Sequence, residues 1–180
     1  KDDIEFLQYF VSTVAQAGCR VFIVHARRAV LNGLSPKENR EIPPLRYDVV
    51  AQMRRAFPEL TFVLNGGIRT VSEVAAHLTT FDGVMIGREA YHNPYLLAEL
   101  HRDSDNQQWA PDRAEIVRTY SDYMARQLQA GERLNVMIRH VLGLYHGLPS
   151  ARSWRRFLSE GVVRAPHAVN LLCDSLRIVS

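Results

Sequence analysis

At 180 residues the chain has room for one ordinary domain or two small ones. Its 47% hydrophobic and 23% charged residues are ordinary for a soluble protein, no apolar run approaches the ~18 residues that span a bilayer, and the start KDDIEFLQYF lacks the basic and apolar regions of a signal peptide. A net charge of +3 and a pI near 9.1 permit a nucleic-acid partner without requiring one, and two cysteines, Cys19 and Cys173, form neither a disulfide framework nor a metal-ligand spacing, so a reducing cytoplasm is expected.

The chain starts without Met, inside an amphipathic pattern in which Ile4, Leu7, Phe10, Val11 and Val14 recur at helical spacing until Gly18. Such a start is expected of the middle of something longer. RVFIV (20–24) is a short continuous apolar run, as in a strand buried on both faces of a parallel sheet. A long polar loop follows, from His25 to about Pro44. Residues 46–57 read as a helix with Val49, Val50, Met53 and Phe57 on one face, ended by Pro58. TFVLN (61–65) is a second strand. Thr70 then stands three residues before Glu73, the spacing of a capping box, ahead of a helix carrying Val74, Ala75 and Leu78. DGVMIG (82–87) is a third strand, and Asn93–Pro94 opens another helix as cap and first residue. Helices and strands alternate in this way when a parallel sheet is joined by right-handed crossovers.

HRDSDNQQWAP (101–111) is a polar break that reads as a linker. Beyond it, 112–130, 134–146, 150–161 and 165–178 all read as helices, with no strand between them. The fold class is therefore α/β followed by all-α, a parallel sheet and then a helical bundle. Ile116, Val117, Tyr120, Tyr123, Met124 and Leu128 in the first of these helices read as bundle core.

Two apolar runs end abruptly in glycine: FVLNGGI (62–68) and VMIGR (84–88). In a (β/α)8 barrel, ligands bind at the C-terminal ends of the strands, and phosphate is often held by the loops after the last two. Glycine suits such a place because the backbone must approach the phosphate and often needs positive φ. Asn65, Gly66 and Gly67, then Gly87 and Arg88, fit one phosphate cup built from two neighbouring strand ends, with Arg88 as a forked cation. Each motif alone is also an ordinary turn. His25 ends the first strand and reaches the same rim; it is a structural residue, or a group that hydrogen-bonds the polar edge of a ring. In ARSWRRFLSE (151–160), Arg152 and Arg155 share one helix face, which is a solvated surface or a phosphate track.

With HARRAVLNGLSPKENREIPPLRYDVV (25–50), NGGI (65–68) and DGVMIGREAYHNP (82–94) in hand, the chain resembles the tRNA-dihydrouridine synthases, specifically the A-type subfamily. GLSPKENREIPPLRY is the most specific stretch, and the resemblance covers essentially all 180 residues but only the C-terminal part of the family's length. It implies residues 1–100 as the C-terminal part of an FMN-binding TIM barrel (about the last three strands), 101–111 as a linker, and 112–180 as a helical tRNA-binding domain. It implies an oxidoreductase that reduces uridine to dihydrouridine in the tRNA D-loop with FMN as cofactor and NADPH as reductant. His25 would contact the flavin, and Asn65, Gly66, Gly67, Gly87 and Arg88 would hold FMN. Lys37, Arg40, Arg152 and Arg155 would contact tRNA. The family's proton donor is a cysteine of the N-terminal half, so no catalytic residue is assigned here, and neither Cys19 nor Cys173 takes that role. No metal and no membrane are expected. The chain alone is expected to be inactive, and to self-associate through barrel strands left uncovered.

Two rival readings differ in class. One is a non-catalytic RNA-binding module in which the helical part is the working part. The other is a different FMN- or phosphate-binding barrel enzyme, such as a dihydroorotate-dehydrogenase-like protein, against which the PKENREIPPL loop and the basic helices argue.

Overall fold

The computed structural model describes residues 3–30, 32–104 and 110–179. Packing divides the chain into two units, Lys1–Gly87 and Arg88–Ser180, each with its own core. In the first, helix α1 (Asp3–Gln16) leads to strand β1 (Val21–His25), helix α2 (Tyr47–Ala56), strand β2 (Thr61–Asn65), helix α3 (Val71–Leu78) and strand β3 (Gly83–Met85). The three strands form one parallel sheet in the order β1-β2-β3. The third strand is shorter than the run 82–87 suggests. Asp82 ends the regular ladder: its N–H still donates to Phe62 O at 3.1 Å, but the Phe62 N–H is taken by the Asp82 carboxylate Oδ2 at 2.8 Å in place of a backbone carbonyl, and that oxygen also pairs with Arg54 Nε at 2.8 Å.

Strand parity decides the two faces of the sheet. Phe22 and Phe62 stack at 5.7 Å between ring centroids on the face covered by Val11 of α1 and Met53 of α2. The opposite face carries Val21, Ile23 and His25 of β1, aligned with Thr61, Val63 and Asn65 of β2. Val21 is 55% exposed and Ile23 58% exposed. This corrects the expectation that β1 is buried on both faces: the helices of this unit cover one face only. Thr70 closes its capping box as the spacing predicts, its hydroxyl accepting the Glu73 N–H while Glu73 Oε2 accepts the Thr70 N–H at 3.0 Å.

In the second unit α4 (Arg88–His92), α5 (Leu96–Ser104), α6 (Arg113–Gln129), α7 (Leu134–Ile138), α8 (Ala151–Arg164) and α9 (Leu171–Asp174) are followed by a 3-10 turn, Ser175–Ile178. Of the stretch read as a linker, 101–104 complete α5 and 105–109 lie outside the described residues. The core centres on Trp154, with Val117, Met124, Leu134, Leu158 and Leu172 buried around it. Two predicted helices are shorter than their apolar spacing suggests. The run 134–146 is helical only to Ile138. Beyond it the chain turns through i to i+3 bonds such as Leu144 N–H to Val141 O, and side chains take two of its carbonyls: Trp154 Nε1 donates to Val141 O at 3.3 Å and Arg113 Nε to Leu144 O at 2.9 Å. The run 165–178 is turns from Pro166 to Asn170 before α9, and Pro166 cannot continue the bonding of α8, which ends at Arg164.

Candidate functional site

The register places His25, Asn65 and Met85 side by side at the C-terminal ends of β1, β2 and β3. The backbone continues the stitching: Ala26 N–H donates to Asn65 O at 2.8 Å, and Arg46 N–H donates to Ala26 O. Gly66 and Gly67 follow Asn65 with φ of 120° and 76°, a region L side chains avoid. Gly87 stands two residues beyond Met85, and a Cβ built there would meet nothing within 4 Å. Five of the six expected cofactor residues, His25, Asn65, Gly66, Gly67 and Gly87, therefore lie at one edge of the sheet. Arg88 follows Gly87 in the chain and opens α4, the first residue of the second unit.

His25 Nδ1 accepts the Arg27 N–H at 3.2 Å, so the neutral ring carries its proton on Nε2. Its Cε1 lies 3.2 Å from where a Gly66 Cβ would be. Imidazole and glycine turn are thus packed together rather than merely near in sequence.

The loop 26–46 closes over this turn. Arg27 and Leu45 form an antiparallel bridge, and the Arg27 guanidinium donates to the carbonyls of Glu41 and Pro43. Asn39 ties the loop's first half: Oδ1 accepts the Val30 N–H at 2.7 Å and Nδ2 donates back to Val30 O at 2.8 Å. Ser35 and Glu38 make a reciprocal pair of the capping-box type, which holds Glu38 below the usual carboxylate range because it accepts from Ser35. This is the physical content of GLSPKENREIPPLRY: side chains that hold a long loop in one shape. It leaves Lys37 and Arg40 exposed on the outside.

Sequence reasoning misses Leu45 and Tyr47. A Cβ on Gly67 would sit 2.5 Å from Leu45 Cδ1 and 3.1 Å from the Tyr47 hydroxyl, so a side chain here would make the Leu45 end shift. Tyr47 OH donates to Gly66 O at 2.7 Å. Because the peptide is planar and trans, the Gly67 N–H then points the opposite way, away from Tyr47. Burial raises the Tyr47 pKa above its ordinary value, with Glu73 adding to the effect, so its proton stays on. A strand-end turn with positive φ, one oriented N–H and an open glycine just beyond the neighbouring strand fits an anionic group such as the phosphate of FMN.

In the second unit Arg152, Arg155 and Arg156 are exposed on α8 around the fully buried Trp154, so the arginines face solvent while the indole anchors the helix. Cys19, half-buried, precedes β1 and donates from Sγ to Val21 O, at the end of that strand opposite to His25. Cys173 lies half-buried in α9. Among the described residues no helix is long and apolar enough to cross a membrane.

A parallel α/β unit with polar residues and glycines gathered at the C-terminal ends of its strands has the arrangement in which α/β proteins commonly bind ligands. The dihydrouridine synthase family matches residues 1–177. The tRNA-dihydrouridine(20/20a) synthase of Pseudomonas putida is 51% identical over 184 residues, covering 99% of this chain and 54% of the relative. The protein of the same name from Escherichia coli K12 is 48% identical over 185 residues, covering 100% of this chain and 53% of the relative. That of Synechocystis is 47% identical, covering 98% and 53%. The chain belongs to the dihydrouridine synthase family, as its resemblance to the A-type enzymes implies, and it spans about half the length of the curated relatives it matches.

Proposed function

We infer that this chain contributes part of the flavin grip and part of the tRNA grip of an enzyme that reduces uridine to dihydrouridine in the tRNA D-loop. Its three-stranded sheet is the closing part of a (β/α)8 barrel, and its compartment is the cytoplasm. The observation that supports this best is the gathering of His25, Asn65 and Gly66–Gly67 at one sheet edge in a chain whose relatives are named tRNA-dihydrouridine(20/20a) synthases.

When bound and reduced by NADPH, FMN supplies hydride to one carbon of the uridine C5–C6 bond. The chain's own residues bind and orient. Asn65, Gly66, Gly67 and Gly87 would hold FMN, with the Gly67 N–H a donor suited to its phosphate, and Arg88, next to Gly87 in the chain, would add a cation. His25 would contact the flavin ring. Lys37 and Arg40 on the loop, and Arg152 and Arg155 on α8, neutralise tRNA phosphates. The proton for the second carbon needs a general acid. Cys19, at the far end of β1, does not supply it, and no other residue here is assigned to it.

The chain with FMN, NADPH and a D-loop-containing tRNA transcript should bind tRNA saturably and steeply in salt, yet form no dihydrouridine. Dihydrouridine formation by this chain alone would overturn its expected inactivity. Binding of tRNA without any binding of FMN would favour the RNA-module reading, and binding of an orotate-like ligand without tRNA would favour a different barrel enzyme.

A further inference from the structure

In the helical unit, the end of α4, the turns that follow α7 and the first half of α8 enclose a cleft of about 370 Å³. Its walls carry His92, Arg139, His146 and Arg155, with Glu89 as the acidic group and Tyr91 at the rim. The floor is backbone on backbone: a Cβ at Gly143 would stand 2.1 Å from the His92 carbonyl oxygen. No side chain can fill the cleft from that position, so its shape is fixed by the fold.

The cations are not used to hold the fold together. Among the described residues the side chains of His92, Arg139, His146 and Arg155 make neither a hydrogen bond nor an ion pair, and all four are exposed. Two permanent positive charges and two imidazoles thus face one carboxylate across a concave surface. Tyr91, 48% exposed, is held edge-on by the His140 ring at 5.6 Å, which leaves an aromatic surface at the rim. Guanidinium forks suit phosphate oxygens, and an exposed ring beside them suits a base. Arg152, one turn before Arg155 on α8, extends the positive face beyond the cleft.

We propose that this cleft is a binding site for a ribose-phosphate unit of RNA, with Arg139 and Arg155 on the phosphate, His92 and His146 as further donors, and Tyr91 against the adjoining base or sugar. The proposal rests on the reading of the helical unit as a tRNA binder and adds Arg139, His92, His146 and Tyr91 to it. Each phosphate neutralised releases condensed counterions, so a lost contact shows in the salt dependence as well as in the affinity.

The test is tRNA binding to the whole chain, measured by fluorescence anisotropy across a salt series. Arg139→Gln should weaken binding roughly five- to tenfold at about 150 mM salt and lower the slope of log K against log salt by about one. His146→Gln should weaken binding by a smaller factor. Arg133→Gln serves as the control, because Arg133 lines a different cleft with Val163 and His167; it should change affinity less than about twofold. Circular dichroism melts of all three should match the parent chain, since the side chains are exposed. Parent-like affinity and slope for Arg139→Gln, with binding otherwise intact, would overturn the site while leaving the tRNA reading standing. No tRNA binding by the parent chain would remove that reading and the site with it. Tight binding of an acidic peptide, abolished by Arg139→Gln while RNA binding is not, would assign the cleft to a protein partner instead.

Discussion

Single atoms decide the candidate site. Tyr47 fixes the Gly66 carbonyl and, through one planar peptide, the direction of the Gly67 N–H. Replacing it with Phe removes one partly buried hydrogen bond, so the chain should lose about 1 kcal/mol of stability, measured by urea denaturation. Gly67→Ala should cost more, because alanine resists φ near 76° and its Cβ meets Leu45 Cδ1 at 2.5 Å. A Gly67→Ala chain as stable as its parent would show that the loop yields easily. In the helical unit Gly143→Ala should be the more damaging change, since the atom it meets is the His92 backbone oxygen rather than a movable side chain. At this scale the sequence is only partly legible. The glycines are visible in it, and so is an expected reason for them, a phosphate. The second reason, Leu45 and Tyr47 closing from a loop some twenty residues earlier, is a tertiary contact that no local pattern carries.

Elements follow local chemistry where that chemistry is complete. TFVLN forms β2 residue for residue, because an apolar run is bounded by Pro58 on one side and Gly66 on the other. The Thr70–Glu73 box starts α3 as its spacing predicts, and Thr70→Ala should cost about 1 kcal/mol, readable in the same denaturation series. Asp82 shows how a strand end is set by a side chain. Its carboxyl is held below its ordinary value chiefly by the Phe62 N–H it accepts, with the Arg54 guanidinium assisting. A lowered pKa in the folded state means the stabilisation is full above the ordinary carboxylate value and is lost as pH falls through the lowered one. The stability gap between the parent and Asp82→Asn should therefore be widest near neutral pH and close as the solution is acidified below about pH 4. A gap that stays constant down to strongly acid pH would rule out the ionised carboxylate as its source. Where a segment's carbonyls are captured by distant side chains, as Trp154 and Arg113 capture those after α7, apolar spacing alone overstates the helix.

On the scale of the whole molecule the sheet is covered on one face and open on the other. Val21 and Ile23 stand exposed there, and Phe6, Tyr9 and Phe10 stand exposed on α1. We propose that these apolar surfaces drive self-association of the chain at micromolar concentration, and light scattering should show species larger than a monomer. A monodisperse monomer would count against it. The alternation of helix and strand made the parallel sheet legible from sequence. The uncovered face was not, because strand hydrophobicity reports what a strand can pack against and not what is present to cover it.

We propose that the strand ends of β1, β2 and β3 grip the phosphate of a flavin nucleotide, and titrating this chain with FMN and with riboflavin, which lacks the phosphate, tests it. Saturable FMN binding should be at least about tenfold tighter than riboflavin binding, with that preference lost in Arg88→Ala. Equal affinity for the two flavins, or a preference untouched by Arg88→Ala and by loss of the Tyr47 hydroxyl, would contradict it.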